Sequence, residues 1–95
     1  MSVIVVHVSI RMKTGRGPAA ETIFNGPFRT AISSQEGFKA VSLLRPDDGG
    51  DYILSIAFEN QPLQQKWVAT DLHSQVWSQM EPHFESYGLR TFIAA

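Results

Sequence analysis

A chain of 95 residues, 43% hydrophobic and 18% charged, has the make-up of one ordinary globular domain, spanning residues 1–95, and is too short for two. Eight basic residues against nine acidic ones leave a formal net charge of −1 with no basic block, which argues against nucleic acid and against an anionic membrane surface as partners. The absence of cysteine excludes disulfides, thiolate nucleophiles, iron–sulfur clusters and cysteine zinc sites.

Residues 3–12 are rich in β-branched side chains and read as a strand. One row holds Ile4, Val6, Val8, Ile10 and Met12; the other holds Val3, Val5, His7, Ser9 and Arg11. The apolar run is short, broken by His7, and has no basic segment before it or small-residue cleavage site after it, so it does not read as a signal peptide. No stretch approaches the roughly 20 apolar residues of a membrane span, and the expected compartment is the cytoplasm. Residues 13–17 carry two glycines and read as a loop, after which Pro18 suits the first turn of a helix.

Ala20, Ile23, Phe24, Pro27, Phe28, Ala31 and Ile32 recur at helical spacing and predict a helix over residues 19–34. Pro27 removes one helical hydrogen bond, which predicts a kink or break at Asn25–Gly26. Residues 38–45 form a second expected strand and residues 52–59 a third. The turn formers Pro46-Asp47-Asp48-Gly49-Gly50 join them into a hairpin. Asp47, Asp48 and Asp51 lack calcium-loop spacing and read as turn residues.

Asn60 and Pro62 mark a helix start that carries Leu63 and Trp67. Thr70-Asp71 marks a fresh cap, and the next helix is expected to run to about Tyr87. Its stripe is Leu72, Val76, Trp77, Met80 and Phe84, Pro82 distorts its last turn and Gly88 ends it. Residues 89–94 complete the pattern as a short strand. The order β-α-β-β-α-β predicts an α+β, ferredoxin-like fold, a four-stranded antiparallel sheet with helices on one face.

A domain this short buries only roughly 60–65% of its unfolded surface, so self-association adds useful burial. Strands with one face in water should alternate apolar and polar residues, yet both rows of the first strand hold several aliphatics. Leaving either row exposed makes an apolar patch that monomers seldom carry, which predicts a homodimer paired through its sheets. Arg11, Arg45 and Arg90 are candidates to pair with carboxylates across that dimer.

Glu36-Gly37-Phe38, the run Leu43-Leu44-Arg45-Pro46-Asp47-Asp48, the strand from Tyr52 to Phe58 with Glu59 and Asn60, and the helical Trp67, Asp71-Leu72-His73 and Trp77 together resemble the antibiotic-biosynthesis-monooxygenase-like family. The resemblance covers residues 5–84. It implies a dimeric α+β barrel whose subunits each hold an apolar pocket between helices and sheet. Some members oxidise polyketide phenols with oxygen and no cofactor; others bind and cleave haem in the same place. Where the quinone-forming members carry an Asn and a Trp on the third strand, this sequence has Leu54 and Phe58. Where the haem-cleaving members carry a first-strand Asn, a helical Trp and an axial His, it has His7, Trp67 and Trp77.

The resemblance points to a cofactor-independent monooxygenase acting on a flat phenolic molecule, with His7 as the base. Trp67, Phe24, Phe28, Leu54, Phe58, Trp77 and His73 would line the site. Haem binding or degradation, with His73 one turn before Trp77 as a candidate ligand, is the first alternative; a non-catalytic small-ligand binding module is the second. Each residue also has a bland reading: His7 as a core or interface histidine, His73 as a rim histidine, His83 as solvated, and the aromatics as core. Three histidines on three elements make no spaced metal motif. Nucleotide-binding and hydrolase motifs are missing.

Overall fold

The structure is a computed structural model that describes residues 2–95. The β-branched first segment forms β1 (Ile4–Met12), and its side chains separate by parity. Ile4, Val6, Val8 and Ile10 are buried beneath the helices; Val5 and His7 on the other face are half-buried, and Ser9 and Arg11 are exposed. β2 (Phe38–Leu44) and β3 (Tyr52–Phe58) form the expected hairpin, and β4 (Phe84–Ile93) completes an antiparallel sheet in the order β2-β3-β1-β4. β1 is therefore central, with Val8 opposite Leu54 on β3 and opposite Leu89 on β4.

The first helical segment starts as α1 (Gly17–Ile23), with Pro18 in its first turn, and ends as α2 (Arg29–Ser33). At Asn25–Gly26, the expected place of a kink or break, the helix forms a π-helical turn, Phe24–Phe28, with Pro27 inside it. Proline has no N–H to donate, so the chain takes a wider turn in which the Arg29 N–H reaches back to the Phe24 carbonyl. The Asn25 side-chain amide donates to the Glu21 carbonyl at 3.0 Å. The helix thus continues, and Phe24 and Phe28 both face the core with ring centroids 5.8 Å apart.

α3 (Gln61–Val68) and α4 (Asp71–Met80) begin where the caps predict. Asn60 Oδ1 accepts from the Leu63 N–H at 3.0 Å, and Thr70 Oγ1 accepts from the His73 N–H at 3.0 Å. The expected run of helix to Tyr87 is not formed. α4 stops at Met80, a single 3₁₀ turn follows over Glu81–His83, and β4 begins at Phe84. Pro82 stops the helix, and pairing with β1 (Met12 opposite Phe84, Arg11 opposite Ser86) outweighs the helical spacing of Met80 and Phe84. Gly88 is a mid-strand residue opposite Ser9 rather than a helix stop.

The core lies between the helices and one sheet face. Trp67, Phe24, Phe28, Phe58, Ile4, Ile10, Ile32, Leu54 and Met80 are its largest fully buried side chains, each contributing roughly 1.5–3 kcal/mol. A polar clamp ties α1 to the hairpin. Arg45 donates from Nε to Glu21 Oε2 at 2.8 Å and from Nη2 to Oε1 at 2.6 Å, while the Tyr52 hydroxyl donates to Oε2 at 2.6 Å. These bonds hold the Glu21 carboxyl at about 2, well below 4.5, and burial raises Tyr52. Arg45 and Arg11 pair with Glu21 and Asp51 of the same chain, and Arg90 lies over the Phe92 ring.

Candidate functional site

A half-enclosed cavity of about 180 Å³ opens between α3, α4 and the helix-side face of the sheet. Its floor is Val6, Val8 and Ile56; its walls are Phe28, Trp67, Trp77 and Tyr87; Gln64, Val68, His73 and Leu89 line the rest. The walls are in place because α3 carries Trp67 inward and α4, restarting after the Thr70 cap, places His73 and Trp77 one turn apart. Phe28 meets the Trp67 ring edge-on, with centroids 6.2 Å apart.

His73 is the distinctive polar group. Its imidazole lies parallel to the Trp77 indole, 6.0 Å away at 7°, and edge-on to Trp67 at 5.0 Å. Desolvation lowers its pKa below 6.5, because the two indoles leave the charged form poorly hydrated. A neutral imidazole with an open ring nitrogen can accept a proton from a bound hydroxyl. The cavity offers little other polarity: Gln64 and the Tyr87 hydroxyl, which is engaged by Glu81 Oε2 at 3.1 Å.

Phe28, Trp67, Trp77 and His73 are thus brought together. Phe24, Leu54 and Phe58 are buried core residues that do not line the cavity. His7 is not in this site. It lies on the opposite sheet face, 5.1 Å from Phe92 and opposite Arg90, where Ser9, Ile53, Gly88, Leu89, Arg90 and Phe92 shape a shallow second concavity with it. The expected hollow joining Phe24, His7 and Trp67 is therefore not formed: parity along β1 puts Val6 and Val8, not His7, under the helices.

Tyr87 and Leu89 were not among the expected site residues. Their signal is the alternation Tyr87, Leu89, Thr91, Ile93 beyond Pro82, which reads as a strand face once the helix is stopped at the proline. His83 has Arg16 Nη1 2.8 Å from its Nδ1 in an exposed contact. Asp48 Oδ1 accepts from the Gly50 N–H at 2.9 Å, a turn role. Among the described residues no cluster of three His, Asp or Glu side chains could hold a metal ion, and no helix is long and apolar enough to cross a membrane.

No family model matches the sequence, and no curated protein matches it. Solved structures do. A Bordetella bronchiseptica protein provisionally named an antibiotic biosynthesis monooxygenase superposes with a TM-score of 0.89 at 15% identity, over 100% of this chain and 99% of that one. A point mutant of SnoaB, a cofactor-independent oxygenase from Streptomyces nogalater, gives 0.82 at 16% identity, over 98% and 92%. A mutant of MhuD with two manganese protoporphyrin IX molecules bound per active site gives 0.81 at 24% identity, over 97% and 94%. At these identities the likeness is one of fold. The chain has the α+β, ferredoxin-like fold of the antibiotic-biosynthesis-monooxygenase-like proteins.

Proposed function

We propose that this protein is an oxidoreductase that uses molecular oxygen to oxidise a small, flat, electron-rich hydroxyarene, without a bound cofactor. The observation that carries this reading is a neutral imidazole, His73, held between two indoles at the wall of an apolar cavity. A flat ligand would lie against Trp67, with Trp77 closing the cavity, and His73 would take the proton from its hydroxyl. The resulting phenolate is electron-rich enough to reduce oxygen. For a phenol the overall change is phenol plus O₂ giving quinone plus water: one oxygen atom forms the new carbonyl and the other leaves as water. His73 returns its proton to the departing oxygen, and the apolar walls keep bulk water from the intermediate. The fold shared with SnoaB supports the same class of chemistry.

The lining supports a site without haem. The cavity of about 180 Å³ lies below the roughly 300–1,000 Å³ of sites for drug-sized ligands. His73 presents one ring face to Trp77 and an edge to Trp67, and no lysine or arginine lines the cavity to meet a propionate. Trp77 fills the helix position at which the resemblance calls for an axial His.

Oxygen uptake with 1-naphthol and related phenols is the test. Uptake should occur with the unaltered protein and fall on the order of a hundredfold or more in His73→Gln. Binding without uptake in either protein would favour a non-catalytic ligand-binding module, a reading the sparse polar lining also supports.

The proposal includes a second copy of the chain on the open sheet face. Phe92 and Leu44 on that face are exposed apolar side chains of the kind that subunit contacts cover. His7 would then lie at the subunit boundary rather than in the catalytic pocket.

A further inference from the structure

The cavity has a built end wall. Trp77 is in contact on several sides: parallel to His73, edge-on to Phe84 at 5.5 Å and edge-on to Tyr87 at 5.4 Å. Glu81, in the 3₁₀ turn between α4 and β4, joins the two wall residues. Its Oε2 accepts from Trp77 Nε1 at 3.4 Å and from the Tyr87 hydroxyl at 3.1 Å. The indole, carried by α4, is thereby linked through Glu81 to Tyr87 on the strand that frames the cavity.

We propose that Trp77, clasped with Tyr87 by the Glu81 carboxylate, is the wall that limits this site to hydroxyarenes of one or two fused rings. The inference rests on the reading of this cavity as the substrate site. An apolar cavity of about 150 Å³ accommodates a single benzene ring. The space here, about 180 Å³, takes one ring fully and a second toward the mouth beside Val68 and Leu89. A third fused ring meets the Trp77 indole at one end or projects into water at the other. The ligand's hydroxyl belongs on the edge nearest His73, because the Tyr87 hydroxyl is already engaged by Glu81 and, among the described residues, Gln64 is the one other polar side chain with a free amide in the lining.

Phenol, 1-naphthol and 1-anthrol add one ring at a time to the same hydroxyl and are fluorescent, so binding can be followed directly, under nitrogen to prevent oxidation. On an unbounded apolar surface affinity rises with each ring. With the wall in place, 1-naphthol binds tightest and 1-anthrol on the order of tenfold or more weaker. Trp77→Ala should reverse the order of these two ligands, and Trp77→Leu should do so in part if the alanine variant does not fold. Glu81→Ala, which removes the shared acceptor, should narrow the gap between them. Tighter binding of 1-anthrol than of 1-naphthol by the unaltered protein, or an unchanged order in a folded Trp77 variant, would overturn the wall; an unchanged gap in Glu81→Ala would overturn the clasp. Because these readouts need no turnover, the size order can hold while oxygen uptake fails, which would sink the oxygenase reading alone. A steady rise in affinity through 1-anthrol alongside oxygen uptake would sink only the wall.

Discussion

Replacing Glu21 by Gln should destabilise the protein at neutral pH and leave it almost unchanged in strong acid. Glu21 accepts three hydrogen bonds, two from Arg45 and one from Tyr52, and they hold its pKa at about 2 rather than 4.5. That gap corresponds to at most roughly 3.4 kcal/mol. The Arg45 side chain is 71% exposed and the Glu21 side chain 21% exposed, so solvent screening reduces the expected contribution to about 1–2 kcal/mol. The folded-state pKa is depressed, so this stability is fully present above pH 4.5 and is lost as the pH falls from there toward 2. Urea denaturation, which leaves charge interactions unscreened, should be run on both proteins at several pH values from 7 to about 2. The difference in unfolding free energy should be about 1–2 kcal/mol at pH 7 and should shrink across that window. A constant difference at every pH would show that the clamp acts through shape alone and would refute the electrostatic reasoning.

Gly37 has φ +80°, and a Cβ there would come 2.5 Å from Leu63 Cδ1, so Gly37→Ala should cost about 1–3 kcal/mol by thermal denaturation. Gly15, at φ +76° with open space around it, should cost only about 1 kcal/mol when changed to Ala. Oxidation of 1-naphthol should fall as the pH drops through the lowered His73 pKa, below 6.5, stay level above it, and lose that acid limb in His73→Gln; steady-state oxygen uptake reads the profile. Light scattering should find twice the 10.6 kDa chain mass for the unaltered protein and a single chain for Phe92→Asp on the open sheet face.

The elements that local chemistry decides were legible in the sequence. Asn60 and Thr70 announced two helix starts, Pro18 a third, and the β-branched residues of β1 a strand. The start of β4 was not legible, because Met80 and Phe84 keep helical spacing across Pro82 and only pairing with β1 shows which structure wins. At Pro27 the sequence indicated a disturbance but not that a π turn would absorb it.

The site divides along the same line. Trp67, His73 and Trp77 share a wall because helical spacing and the Thr70 cap put them there. His7 was grouped with them because both rows of β1 are apolar, so alternation alone did not say which row faces the helices. Tertiary packing settles that parity, and it also seals Leu54 and Phe58 into the core.

A crystal structure of the protein with 1-naphthol tests the central claim most directly. Density for the two rings should lie in the helix-side cavity over Val6 and Val8, with the hydroxyl oxygen roughly 2.7–3.2 Å from the His73 imidazole. Density instead beside His7 and Arg90 on the open sheet face, with the helix-side cavity empty, would contradict it.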